Sequence, residues 1–159
     1  MKSKYILTAI IMSTILSFGA LVSVASDLVI ESKNQSYSEE DSKIKFDGDV
    51  NVTIDDLHIV GDKADVTVIN NEKLDPATFY DKPYAFENKA NKKREVKANI
   101  LKVSLIKKTV RAEGDTQTVI FDGKMPIAVV NVDMQEYNPK TVVMKAEFNF
   151  TINHKTEHK

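Results

Sequence analysis

The chain has 159 residues, a length for one ordinary domain, and its 42% apolar and 28% charged content is that of a folded globular protein. With 22 Lys and Arg against 23 Asp and Glu the formal charge is −1, so no overall basic field recruits nucleic acid. The absence of cysteine excludes a disulfide scaffold, a thiol nucleophile and any cysteine-ligated zinc or iron–sulfur centre.

At the N-terminus, Lys2 and Lys4 precede an uncharged, mostly apolar run over residues 5–24, which ends in Ser23-Val24-Ala25 before Ser26. A basic start, an apolar middle and small residues ahead of the cut predict a signal-peptide helix over residues 1–25, cleaved after Ala25. At about 1.5 Å per residue the same run spans roughly 30 Å, enough for a retained membrane anchor. Thr8, Ser13, Thr14 and Ser17 weaken it as an anchor, and the small-residue site favours cleavage. Either way the remainder is exported. A cut after Ala25 leaves 134 of the 159 residues and moves the formal charge to −3, because Lys2 and Lys4 leave with the leader.

From Ser26 onward the dominant signal is period two. Leu28 and Ile30 alternate with Val29 and Glu31, and Ile44, Phe46, Gly48, Val50 and Val52 alternate with Lys45, Asp47, Asp49 and Asn51. Ala64, Val66 and Val68 follow the same rule, as do Val142, Met144, Ala146, Phe148, Phe150 and Ile152 near the end. Each stripe puts one strand face on an apolar interior and the other in water. Turn signals fall at Glu40-Asp41-Ser42, Asn70-Asn71, Asp81-Lys82-Pro83, Asp122-Gly123 and Asn138-Pro139, leaving no room for βαβ crossovers. The pattern predicts an all-β, antiparallel fold over residues 26–152, followed by a polar tail at 153–159.

Residues 87–111 are rich in helix formers, and Val96, Ile100, Val103 and Val110 also fit helical spacing. Val96 and Ala98, then Leu101, Val103 and Leu105, then Val110, Ala112 and Gly114 alternate equally well, and strand-like neighbours decide for strands. Ile44-Lys45-Phe46-Asp47-Gly48 recurs 75 residues later as Val119-Ile120-Phe121-Asp122-Gly123, each with a glycine able to make a bulge.

Chemistry-bearing patterns are sparse. His154 and His158 lie in the polar tail without a third ligand, and His58 sits beside Asp55 and Asp56 with no serine in a nucleophile-elbow pattern. The acids around Asp55, Asp56, Asp62 and Asp65 lack the oxygen-ligand alternation of a calcium loop, and the glycines beyond the leader, Gly48, Gly61, Gly114 and Gly123, are too far apart for a phosphate loop. No catalytic residue, metal site or cofactor is expected, and the chain reads as a non-enzyme. The basic cluster Lys89, Lys92, Lys93, Arg94 and Lys97 is either a solvated hairpin or a contact for anionic groups, with Lys92, Lys93 and Arg94 the candidates. The stripes fit a closed sandwich filled by side chains and an open roll with an apolar trough and free strand edges equally well.

Taken in order, Leu28-Val29-Ile30-Glu31-Ser32, Ile44-Lys45-Phe46-Asp47-Gly48-Asp49-Val50-Asn51-Val52, Ile59-Val60-Gly61-Asp62-Lys63-Ala64-Asp65-Val66-Thr67-Val68, Pro76-Ala77-Thr78-Phe79-Tyr80 and residues 96–114 resemble the OstA-like family of lipopolysaccharide-transport proteins. The resemblance has recognisable motifs over about residues 27–123 and continues as pattern to Ile152. It implies an incompletely closed, V-shaped β-jellyroll in the periplasm that carries lipopolysaccharide with the acyl chains in its trough. It further implies head-to-tail homo-oligomers stacked through edge strands, bridging an LptC-like inner-membrane component and an LptD-like outer-membrane component.

The trough candidates are Ile30, Ile44, Phe46, Val50, Val52, Ile59, Val66, Val68, Phe79, Leu101, Val103 and Phe121. Two other readings remain. One is an LptC-like relative that keeps its leader as an anchor; the other is an exported structural β-sandwich that binds no lipid. The basic stretch at residues 87–97 and the short mature length depart from the family pattern.

Overall fold

Period-two alternation becomes strand throughout the described chain, because β-branched and aromatic residues on one face pack only when the pleat keeps them on that face. A computed structural model describes residues 20–23, 28–69, 73–139, 144–147 and 151–154. Thirteen strands form one antiparallel sheet: β1 (Ala20–Ser23), β2 (Leu28–Ser32), β3 (Asn34–Ser38), β4 (Lys43–Ile54), β5 (Leu57–Ile69), β6 (Lys73–Tyr80), β7 (Tyr84–Lys89), β8 (Lys92–Lys97), β9 (Ile100–Ser104), β10 (Thr109–Asp122), β11 (Met125–Tyr137), β12 (Met144–Glu147) and β13 (Thr151–His154). Residues 87–111 are strands, in line with the alternation and against the helical spacing.

Four strands are long, with 12 to 14 residues each, and every one of them exchanges its neighbour midway. On its outer edge β4 pairs with β3 over residues 43–47 and with β2 over residues 51–54. β5 pairs with β7 over residues 57–60 and with β6 from residue 63 onward. β10 passes from β9 to β8, and β11 from β13 to β12. The exchanges divide the sheet into two layers joined by continuous chain. One contains β3, β6, β9 and β12; the other contains β1, β2, β7, β8 and β13. Their inner faces meet in one cluster that includes Ile44, Phe46, Phe79 and Leu101 from the first layer and Ile30, Val52, Ile59 and Val96 from the second.

The exchange points carry Gly48-Asp49, Gly61-Asp62, Gly114-Asp115 and, in β11, Val132-Asp133. At two of them a bulge inserts one extra residue: residues 47 to 50 of β4 face residues 63 to 61 of β5, and residues 113 to 116 of β10 face residues 134 to 132 of β11. Gly48 and Gly114 have φ of +80° and +76°, and the aspartates that follow them are also left-handed. Close approach adds to this need for glycine, because a Cβ on Gly114 would stand 2.7 Å from Asn99 Nδ2. The backbone N–H of Asn99 donates to Gly114 O at 2.9 Å, just as that of Lys33 donates to Gly48 O at 2.9 Å. The true internal repeat is therefore Asp47-Gly48-Asp49 with Glu113-Gly114-Asp115. The expected match of Gly48 with Gly123 is corrected: Gly123 lies in the two-residue connection between β10 and β11.

Several expectations fall at the margins. Residues 1–19, 24 and 25 of the expected leader helix, the turn at Asn70-Asn71 and the tail from residue 155 lie outside the described residues. Ala20–Ser23, expected as the end of the leader helix, is instead a strand paired with β2. Asn153 and His154, expected in the tail, continue the ladder of β13 against Val129 and Ala128. Asp75 closes the connection between β9 and β10: its Oδ1 accepts the N–H of Leu105 at 2.6 Å and its Oδ2 accepts the Ser104 hydroxyl at 3.2 Å.

Gly114→Ala is expected to destabilise the fold by about 1–3 kcal/mol through left-handed strain. Gly61→Ala, whose Cβ would meet Pro83 at an ordinary 3.6 Å, should be close to neutral. Urea unfolding of the two variants checks the contrast.

Candidate functional site

Strand pairing places the inner-face residues in lateral rows. In the first layer Gln35, Phe46, Ala64, Phe79, Leu101, Ala112 and Gln135 stand side by side across β3, β4, β5, β6, β9, β10 and β11. In the second, Ile30, Val52, Ile59, Ala85, Val96, Thr118 and Val130 form the matching row. Of the trough candidates, Ile30, Ile44, Phe46, Val50, Val52, Ile59, Val66, Val68, Phe79, Leu101 and Val103 all belong to one buried cluster, none more than 8% exposed. Side chains fill this part of the interior.

Phe121, expected inward, faces outward. Thr116 and Thr118 are the inward residues of this part of β10, and Phe121 stands opposite Lys93 on the outer face, with the ammonium 5.8 Å from its ring. Its likeness to Phe46 was one of letters, while the strand phase decides the face.

Phase also divides the basic cluster. Lys92 is exposed at the hairpin, and Lys93 points outward over the Phe86 and Phe121 rings and pairs with Glu95 at 2.5 Å. Arg94 turns inward and is only 7% exposed. Lys92, Lys93 and Arg94 therefore do not form one patch. Beside them on the outer face, His58 stacks on Phe86 at 5.0 Å, and burial together with a hydrogen bond to Glu95 pushes the Tyr84 hydroxyl up to about 12.

The interior is not uniform. A third inner row reads Ile54, Leu57, Glu87, Arg94 and Ile120, so an ion pair replaces two apolar positions. Arg94 Nη1 lies 3.1 Å from Glu87 Oε1, and the guanidinium stacks across the layers on the Tyr137 ring at 4.8 Å. Gln135 Nε2 donates to Thr118 Oγ1, a second polar tie between the layers. Burial pushes the Glu87 carboxyl above its usual value of 4.5, against the opposing pull of Arg94 and Lys89, and burial likewise raises the Tyr137 hydroxyl. Glu87, Tyr137, Thr118 and Gln135 were missed in the sequence, although Ala85 and Val96 carry the inward phase that includes Glu87 and Arg94.

Glu87 reaches an end of the interior that opens. A cleft of about 500 Å³ lies between the β4–β5 turn and the β9–β10 turn, with Ile54, Leu57, Val103 and Val110 as apolar wall and Asp55, Asp56, Lys89 and Lys108 among its polar lining. Such a concave apolar site with a polar anchor suits an aliphatic ligand. The inner rows end at β3 and β1 on one side and at β12 and β13 on the other, so the sheet keeps edges at both ends.

Replacing Arg94 by Leu leaves Glu87 buried without its partner and is expected to cost about 3–5 kcal/mol, whereas replacing both by Leu should restore most of that loss, as urea unfolding would read. The raised carboxyl also has a signature. The folded chain holds the Glu87 proton at higher pH than the unfolded chain, so this group adds stability as pH falls through its raised pKa towards 4.5 and withdraws it as pH rises. Glu87→Gln should remove that slope when unfolding is compared between neutral and mildly acidic pH.

No curated protein sequence matches the chain. Among solved structures it is similar to LptH, the LptA homologous periplasmic component of the lipopolysaccharide transport device from Pseudomonas aeruginosa, with a TM-score of 0.68 at 10% identity, over 81% of this chain and 95% of that one. That likeness is one of fold. The model of the LptA/(LptD N-terminal domain) LPS transport protein family matches residues 29–142, from the second residue of β2 to beyond the end of β11. Strand order, the apolar inner face and this match over most of the chain agree: the protein belongs to the LptA/LptD N-terminal domain family of lipopolysaccharide transport proteins.

Proposed function

We propose that the protein is a non-enzymatic, LptA-like carrier of lipopolysaccharide in the periplasm. It holds acyl chains against the inner face and joins related domains end to end. The observation that carries this reading is the continuous inner face of the folded sheet, apolar over most of its rows and bounded by a strand edge at each end. Each acyl methylene moved from water onto such a face gains about 0.8 kcal/mol, so shielding requires apolar side chains and no reaction. Side chains pack the interior, so a carried lipid would replace contacts between the two layers with contacts to its acyl chains, beginning at the cleft beside Ile54 and Val110.

A cut after Ala25 removes β1 and leaves β2 as the second layer's first edge, open to a strand from a neighbour. Stacking through such edges gives head-to-tail homo-oligomers between an LptC-like inner-membrane component and an LptD-like outer-membrane component. A retained leader would favour the LptC-like reading instead. The packed core favours a second reading, an exported β-sandwich that uses its edges for protein contacts alone.

Photo-crosslinkers at Phe46 and Val66 are expected to capture lipopolysaccharide in cells; no capture from any inward position, together with normal lipopolysaccharide display after depletion of the protein, would favour the sandwich. N-terminal sequencing of the exported protein should find Ser26 first, and an intact leader would assign the anchored role.

A further inference from the structure

The Glu87–Arg94 pair raises a separate question, because it interrupts an otherwise apolar row and leaves hydrogen-bonding capacity unused. Glu87 and Arg94 are 6% and 7% exposed, and Glu87 Oε2, Arg94 Nε and Arg94 Nη1 have no hydrogen-bond partner, so the two side chains meet as an ion pair without a hydrogen bond. A buried carboxylate oxygen without a donor is costly, so it is a strong acceptor for any donor that reaches it. Glu87 is among the residues that line the cleft, with Ile54, Leu57 and Val110, and its buried Oε2 meets a ligand there once the side chain turns. Arg94 already balances the Glu87 charge, so a second charge brought to this position would be buried without a partner. A neutral donor satisfies the oxygen without that penalty.

We propose that the cleft is a recognition site for an aliphatic chain bearing a hydroxyl group, which lies along Ile54, Leu57 and Val110 and donates its hydroxyl hydrogen to Glu87 Oε2. The proposal rests on the reading that the inner face holds aliphatic chains, and it adds that this face distinguishes hydroxylated chains from plain ones. Lys89 does not compete for the site, since its ammonium donates to Pro139 O at 3.0 Å.

The test uses two isomers of one formula, 1-octanol and 1-methoxyheptane, which differ in whether the oxygen carries a hydrogen. Each displaces the fluorescent probe N-phenyl-1-naphthylamine from the purified protein. 1-Octanol is expected to act at about tenfold lower concentration, the ratio supplied by one hydrogen bond to a charged acceptor. In the double variant Glu87→Leu with Arg94→Leu, which removes the acceptor while keeping the row packed, the ratio should fall to about one. Equal potency of the isomers on the unaltered protein, or a preference that survives in the double variant, would overturn the hydroxyl site alone. Failure of both isomers and the probe to bind would overturn the carrier reading with it.

Discussion

Everything in this fold depends on bending four long strands without exposing their apolar faces. A flat strand of 12 to 14 residues would carry its side chains past the end of any core this small, so each strand turns at an exchange of neighbours. Glycine followed by aspartate supplies the left-handed backbone at Gly48 and Gly114, and the bulges there place one extra residue in β4 and β10. The consequence appears in the partners. On β4 the inward set runs Ile44, Phe46, Val50, Val52 without changing phase, whereas on β5 it changes from Leu57 and Ile59 to Ala64, Val66 and Val68. β10 and β11 repeat the arrangement, with Val110, Ala112, Thr116 and Thr118 in phase and Val130 and Val132 giving way to Gln135 and Tyr137. Without those single-residue shifts, half of each partner strand would turn its apolar residues to water.

The same bends produce an interior with two characters. Near β2, β4, β5 and β6 the two layers meet through Ile, Val, Leu, Ala and Phe side chains, and apolar burial holds them. Near β7, β8, β10 and β11 they meet through Arg94 on Tyr137 and through Gln135 on Thr118. Dispersion contacts can re-form on an acyl chain with little loss, while the polar ties have fixed partners and directions. On the carrier reading proposed above, the apolar half is where a lipid would lie, and the polar ties would keep the layers in register.

Edge chemistry completes the link from fold to family. An open sheet normally protects its edges, because unpaired N–H and C=O groups invite pairing with another chain. Here the rows of the inner face run from edge to edge, so a second domain added at either end would continue the same apolar surface. On the proposed bridging role, the edges that are a hazard in most proteins would be the surfaces that join one domain to the next.

Much of this was legible in the residues. Alternation revealed the strands, including those at residues 87–111 where helix formers abound, and it identified the buried set from Ile30 to Val103, because period two is a local property that the backbone must obey. The order of short motifs pointed to the family that the comparison then showed. What the sequence could not decide was phase after a bend. On β5 the inward set changes parity between Ile59 and Ala64 because of a bulge in the strand alongside, whereas Phe121 and Arg94 keep the phase of Thr118 and Val96 against what letters and charge suggested. The Glu87–Arg94 pair forms across the β7–β8 hairpin, but its stacking on Tyr137 and the cleft beside it exist only once strands 43 residues apart are folded face to face. Sequence determined which residues alternate; tertiary structure decided which side of each bend is the inside.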